Sequence, residues 1–258
     1  MSSISKSVCK TVLGFNLASL VHLLAGRADA FYHGCLCALS AARFPSPTAN
    51  LPLPSVKLAT LLGARKVEIR LTVARDEEGI LPYDQALALA AILVLESPAS
   101  ILEVGTFMGA TTRLMAENCP EAKIHTVDLP PDYNLRSSPQ HAMPKDDFQL
   151  ISRRVVGREF IGRPCAARIT QHFADTAEWD FSAAGSPTFF FIDGSHTYEY
   201  AKNDSDKCFA LCGGKGVFLW HDCDWNHPGV IRCLMEWRAK GRDVRRIEGT
   251  PLAYWKGS

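Results

Sequence analysis

Short apolar runs alternate with amphipathic segments along most of this chain, and the alternation constrains the fold more than any other feature. The predicted strands and helices, in chain order, are strand 100–104, helix 110–118, strand 123–127, strand 167–171, strand 187–192, helix 197–211, strand 216–220 and helix 229–240. A helix at Pro82–Leu95 precedes them, with proline in the first turn, where its missing N–H breaks no hydrogen bond. This order predicts a mostly parallel sheet with helices on both faces. Two short runs, 244–247 and 252–255, predict a closing antiparallel hairpin.

Composition narrows the class of protein. The chain has 258 residues, 47% of them hydrophobic, which is enough for one full-sized core with an appendage. Because 28 Lys and Arg balance 27 Asp and Glu, there is no basic excess, and we expect no nucleic-acid partner. The nine cysteines lack zinc-finger spacing, and we interpret them as reduced thiols of a cytoplasmic protein.

The N-terminal part of the chain allows three interpretations. Val12–Leu24 is an apolar run broken by polar residues, and it predicts an amphipathic helix that packs on the core or on a partner, including a second copy in a homodimer. Attachment of this helix to a membrane surface is the second interpretation. A signal peptide is the third, because Ala28–Ala30 resembles a small-residue cleavage site.

Prolines divide the chain into two parts. Four prolines in residues 44–54 predict an extended linker, so we place a helical extension with its linker at 1–54 and the main domain at 55–258. Within the main domain, Lys66–Val73 alternates like a strand. The regular order stops over about 130–163, an insertion with one predicted helix at Asp146–Val155, which is either a lid or substrate loop or a solvated excursion.

A glycine turn follows the first strand of the alternation, in the sequence ILEVGTFMG at 101–109. Glycines let the backbone approach a ligand closely, and an acid after the next strand can accept hydrogen bonds from a ribose. A nicotinamide site would show Gly-x-Gly-x-x-Gly, but Thr, Phe and Met stand where a middle glycine would admit a pyrophosphate. The pattern therefore favours S-adenosylmethionine (SAM), which has no pyrophosphate. The predicted cofactor-binding residues are Glu103, Gly105, Thr106, Gly109, Asp128 for the ribose and Asp175 for the adenine amino group.

Polar side chains follow five consecutive strands of the predicted sheet. They are Glu103 with the glycine turn, Asp128, Asp175, the group Asp193, Ser195 and His196, and the group His221, Asp222 and Asp224. Because ligands bind beyond the carboxyl ends of parallel strands, we expect these side chains to converge on one site. We interpret two further histidines, His172 and His227, as structural.

Three segments in order resemble class I SAM-dependent methyltransferases. They are ILEVGTFMG at 101–109, FIDGSHTY at 191–198 and CGGKGVFLWHD at 212–222. The resemblance is to the bacterial branch with an IDGxHxY segment and a Gly-Gly pair before a WHD strand end; it covers about 78–258, including the closing GTPLAYW. It implies a Rossmann-like, seven-stranded sheet with an antiparallel last strand, and methyl transfer from SAM. Residues 1–75 lie outside it, so it implies nothing about their role.

Methyl transfer to a hydroxyl requires loss of the hydroxyl proton, to a base or through a metal ion. His196 and His221 are the predicted bases, oriented by Asp193 or Asp222. The metal alternative uses Asp193 and Asp222 as ligands, with His221 or Asp224 as a candidate further ligand. Some similar methyltransferases hold Mg²⁺ with acidic and amide oxygens, whereas a His-Asp pair tolerates Mn²⁺ or Zn²⁺ better.

The leading functional hypothesis is O-methylation of a small molecule or a saccharide. N-methylation is the alternative within the same class of enzyme. Outside that class stand a non-catalytic module that binds SAM or a nucleoside and, less well supported by the glycine turn, an NAD-linked oxidoreductase. The sequence does not identify the acceptor.

Overall fold

The computed structural model describes residues 48, 51–71, 79–133 and 154–257. The predicted helix at Val12–Leu24, the cleavage-like site at Ala28–Ala30 and most of the predicted helix at Asp146–Val155 lie outside these residues. Within the described ranges, no helix is long and apolar enough to cross a membrane. The six cysteines that the structure describes are all free thiols.

Eight strands form a single sheet in the part of the chain that the structure describes. They are β1 (Ser55–Val56), β2 (Ser100–Val104), β3 (Lys123–Asp128), β4 (Ile169–Phe173), β5 (Phe189–Ile192), β6 (Val217–Trp220), β7 (Arg245–Ile247) and β8 (Ala253–Lys256). Their order in the sheet is β1-β7-β8-β6-β5-β2-β3-β4, and β8 alone is antiparallel to its neighbours β6 and β7. The chain runs outward in both directions from the β2–β5 pair, which makes that pair the point where ligands bind in open α/β sheets.

Helices cover both faces of the sheet. They are α1 (Leu58–Leu62), α2 (Tyr83–Glu96), α3 (Ala110–Asn118), α4 (Tyr198–Leu211) and α5 (Pro228–Ala239), with short 3-10 helices at Pro164–Arg168 and Phe181–Ala184. In β5, Phe189 and Phe191 are buried in the core cluster that contains α2 and α3, while Phe190 is buried in the cluster that contains α4 and α5. Because both faces are buried there, the sequences of the central strands β5 (FFFI) and β6 (VFLW) are continuously apolar.

Two details of the sheet differ from the prediction. The described part of Lys66–Val73, up to Leu71, is not a strand, because the backbone N–H and C=O of Arg70 bond to the side chain of Asn118 at 2.8 and 2.9 Å instead of to a neighbouring strand. The sheet has eight strands rather than seven, since the two-residue β1 pairs in parallel with β7. A strand of two residues is too short to show periodicity.

Candidate functional site

A cavity of about 430 Å³ lies at the carboxyl ends of the central strands. Its wall contains the glycine turn after β2, Asp128 after β3, residues 193–196 after β5, and His221 and Asp222 after β6. Of the residues that the sequence assigns to the site, Glu103, Gly109, Asp175 and Asp224 are the ones outside the wall. The ends of β2, β3, β5 and β6 thus converge on one space, as expected for parallel strands.

The glycine turn brings β2 against the loop that follows β5. Gly105 has φ +97°, and a Cβ there would lie 1.9 Å from the backbone oxygen of Asp193. Gly109 has φ +82° and precedes α3, and a Cβ there would lie 2.6 Å from the ring of Phe160. Both positions therefore need glycine for conformation and for space. Gly105 lies on the cavity wall, whereas Gly109 lies behind it.

Glu103 lies beneath the turn and is fully buried. Its Oε2 accepts hydrogen bonds from the hydroxyls of Thr112 and Thr126, both at 2.5 Å, and no described residue provides a partner for Oε1. Burial raises the pKa of Glu103 to about 8, against the opposing effect of the two threonines. Thr126 also bonds to Thr106 at 2.6 Å. Glu103 is therefore placed to support the cavity wall through Thr126 and Thr106.

Asp128 forms hydrogen bonds both with the glycine turn after β2 and with Arg154 of the insertion. Its Oδ2 accepts from the backbone N–H of Phe107 at 2.6 Å, and its Oδ1 accepts from Leu129 N–H at 2.7 Å and from Arg154 at 2.6 Å. Burial raises the pKa of Asp128, although Arg154 and the N–H donors oppose the shift. Arg154 also lines the cavity, and nothing in the sequence distinguishes it from the other arginines of the insertion.

Asp175 lies behind the wall that it was predicted to form. Its carboxylate accepts hydrogen bonds from the hydroxyls of Tyr133 at 2.6 Å and Tyr200 at 2.9 Å, and from the N–H of Ala177 at 2.9 Å. Tyr200 and Thr176 line the cavity at this end. Asp175 thus holds a wall residue in place, and this pairing has no local sequence signal because Tyr200 belongs to α4.

Three imidazoles surround the carboxylate of Asp222. Oδ2 lies 2.7 Å from Nε2 of His196 and 3.0 Å from Nδ1 of His221, and Oδ1 lies 3.4 Å from Nδ1 of His227. Asp222 itself has φ +56°, a left-handed conformation that is uncommon outside glycine and frequent at functional sites. His227, which we interpreted as structural from its sequence position, lies on the cavity wall. The sequence signal for a polar role of His227 is Asp224, a hydrogen-bond acceptor three residues earlier that bonds to its ring at 2.9 Å.

His221 bridges the two carboxylates that end β5 and β6. Its Nδ1 lies 3.1 Å from Asp193 and 3.0 Å from Asp222, and its Nε2 lies 2.8 Å from Oε1 of Gln85. Burial lowers the pKa of His221, but the two carboxylates outweigh burial and hold the pKa well above its usual value. Burial likewise opposes ionisation of Asp222, and His221 and His196 hold its pKa well below the usual range. The two carboxylates therefore favour the protonated, cationic form of His221.

Comparison with known proteins agrees with this architecture. Residues 102–223, slightly less than half of the chain, match the family model of a methyltransferase domain. No curated protein matches the sequence. Cofactor-bound Rv0187 from MTB is a similar solved structure, with 16% identity, a TM-score of 0.50, and coverage of 90% of this chain and 96% of that chain. This likeness shows a shared fold.

Two further solved structures are similar at lower scores. The O-methyltransferase TomG from Streptomyces achromogenes, crystallised with SAM, has 15% identity and a TM-score of 0.49 over 69% of this chain and 81% of that one. The O-methyltransferase from Bacillus cereus, in complex with SAH, has 12% identity and a TM-score of 0.48 over 70% and 84%. The chain thus contains a segment that is similar to methyltransferase domains, within a Rossmann-like, mostly parallel sheet.

Proposed function

We propose that the protein transfers the methyl group of SAM to a hydroxyl of a small molecule or a saccharide. One observation carries the proposal: the cluster of imidazoles and carboxylates around Asp222 shares a cavity wall with the glycine turn. A hydroxyl must lose its proton in the reaction, and an imidazole beside a carboxylate is suited to remove it. A neutral amine needs no such group, so the cluster favours oxygen over nitrogen as the acceptor.

The cofactor end of the proposed site runs from the glycine turn to Tyr200. Gly105 and Thr106 form the wall beside the methionine part of SAM, with Glu103 and Gly109 supporting that wall from behind. Asp128 takes the ribose: a carboxylate can accept about four hydrogen bonds, and three described N–H groups use the carboxylate at present. Thr176 and Tyr200 form the adenine end, and Asp175 holds the hydroxyl of Tyr200 in place.

The acceptor end contains the proposed catalytic residues, His196, His221 and Asp193. The acceptor oxygen attacks the sulfonium methyl, so an O–C bond forms while the C–S bond breaks and its electron pair stays on sulfur, leaving S-adenosylhomocysteine (SAH). The hydroxyl proton passes to the cluster at His196, whose side chain is 29% exposed and bonded to Asp222. His221, fixed between Asp193 and Asp222, offsets the negative charge that develops on the oxygen.

Isothermal titration with SAM, SAH and NAD tests the first half of the proposal. We expect the two sulfur compounds to bind and NAD not to bind, and failure of both SAM and SAH would refute the proposal. Methyl transfer from labelled SAM to matched sets of phenols, sugars and amines tests the second half. Labelling confined to the amines would show that nitrogen, not oxygen, is the acceptor.

A further inference from the structure

Three side chains on the acceptor side of the cavity are spaced to share one ion. They are His196, Asp222 and His227, whose ligand atoms all lie within 4.8 Å of one another. Nε2 of His196 is 2.7 Å from Oδ2 of Asp222. Ligands held about 2.1 Å from a common ion lie about 3 Å apart, so rotations of the two rings would bring all three side chains to one ion. The two rings face each other across 4.4 Å between centroids.

The position between Asp193 and Asp222, where oxygen ligands would favour Mg²⁺, does not fit that ion. Nδ1 of His221 lies between the two carboxylates, at 3.1 and 3.0 Å, and Gln85 holds the opposite nitrogen at 2.8 Å. Mg²⁺ requires a near-octahedral set of oxygens at about 2.1 Å. Here an imidazole N–H occupies the gap instead, so a cation has to bind on the other side of Asp222.

A second carboxylate orients His227 from behind. Asp224, which is 7% exposed, accepts from Nδ1 of His227 at 2.9 Å and is held by the N–H of Asn226 at 2.8 Å. Metal-bound histidines usually donate one ring N–H to such an outer carboxylate, which fixes the tautomer and leaves the other nitrogen for the ion. No described residue forms a hydrogen bond with Nε2 of His227.

We infer that His196, Asp222 and His227 form a site for a divalent first-row transition ion, such as Mn²⁺, Co²⁺ or Zn²⁺, that binds the acceptor hydroxyl. Two imidazoles and one carboxylate suit these ions and not Mg²⁺. The inference rests on the proposed O-methylation and deepens it, since such an ion makes a bound hydroxyl more acidic. His196 then acts on the hydroxyl as a ligand of the ion.

Isothermal titration of the EDTA-treated full-length protein with MnCl₂, CoCl₂, ZnCl₂ and MgCl₂ tests the site without an acceptor. We expect one transition ion per chain, bound at least about 100-fold more tightly than Mg²⁺. Co²⁺ should also give visible absorption bands typical of imidazole ligands. Equal affinity for Mg²⁺, or no binding by any of the transition ions, would overturn the inference.

Variants identify which residues hold the ion. His227→Ala should abolish the Co²⁺ bands, and Asp224→Asn should weaken binding about 10- to 100-fold through loss of the outer contact. His172→Ala is the matched control, because His172 pairs with His125 at the sheet edge, 3.0 Å away, and should leave ion binding unchanged. Loss of binding in His172→Ala, or wild-type binding in His227→Ala, would contradict the assignment.

Affinity for SAM, measured on the same samples, separates the two proposals and reports on folding. SAM binding and full methyl transfer in EDTA, without ion binding, would refute the ion site alone. Failure to bind SAM or SAH would refute the proposed function whatever the ions do.

Discussion

The two ends of the cavity are stabilised by different kinds of contact. At the cofactor end, backbone geometry dominates: Gly105 touches the backbone of Asp193, and Asp128 accepts two backbone N–H groups. At the acceptor end, side-chain ion pairs dominate, with three imidazoles around Asp222. Backbone contacts have fixed shape, whereas ion pairs depend on charge. We therefore expect an added side chain that fills space to weaken SAM binding at the cofactor end. Loss of a charge should instead reduce methyl transfer at the acceptor end.

The largest expected effect comes from filling space at the cofactor end. Gly105→Ala would place a Cβ 1.9 Å from the backbone oxygen of Asp193, so the turn or the β5 loop must move. We expect at least about a 100-fold loss of SAM affinity by isothermal titration, which is about 2.7 kcal/mol. Gly185→Ala is the matched control, because Gly185 also has positive φ (+71°) but nothing within 4 Å. Similar losses in both variants would mean that backbone strain alone, and not the close approach, is responsible.

Removal of charge at the acceptor end should give the next largest effect. Asp222→Asn keeps the shape of the side chain but deprives His196 and His221 of their shared carboxylate. We expect methyl transfer to fall about 100-fold or more, since general acid–base groups contribute on that scale. SAM affinity should change by less than about threefold. An equal fall in SAM affinity would show that the two ends are not separable. Asp243→Asn, at an exposed ion pair with Arg245, serves as the control.

Asp128 accepts both backbone N–H groups and the charged side chain of Arg154. Asp128→Asn retains one oxygen for a backbone N–H but loses the ion pair with Arg154. We expect SAM affinity to fall about 10-fold, the scale of one hydrogen bond to a charged group. The measurement is titration with SAM at low and high salt. A loss as large as that of Gly105→Ala would mean that charge, rather than backbone shape, also governs the cofactor end.

Much of the fold was predictable because its signals are local. The predicted strand 100–104 and helix 110–118 have the bounds of β2 and α3, since each contains its own periodicity. Lys66–Val73 has the same local alternation but is not a strand over its described part, because Asn118 takes the hydrogen bonds of Arg70. Tertiary contacts of this kind leave no trace in a local pattern.

The site was predictable where residues follow a strand. Asp193 and His221 end neighbouring parallel strands, so topology alone brings them together. Gln85 and Arg154 were not predictable: Gln85 is 136 residues away from His221 in sequence, and Arg154 reaches Asp128 from the insertion. His227 follows a turn after β6, and its sequence position does not show which way the ring points.

The smallest expected effect lies beneath the cofactor end, in the pH dependence of stability. Glu103 has a usual pKa of 4.5, which burial raises to about 8 in the folded protein. Between these values the folded state binds the proton and the unfolded state does not. The stability due to this group is thus complete below about pH 4.5 and is lost as pH rises to about 8, with a slope of at most about 1.4 kcal/mol per pH unit.

Glu103→Gln should remove this slope, because glutamine stays neutral while its oxygen still accepts from Thr112 and Thr126. Urea unfolding at pH 5, 6.5 and 8 measures the effect: relative to wild type, the variant should gain stability at each step upward. Glu121→Gln, on an exposed turn, should follow wild type throughout. A constant difference between Glu103→Gln and wild type would mean that Glu103 is ionised in the fold. A buried negative charge would then lie beneath the glycine turn.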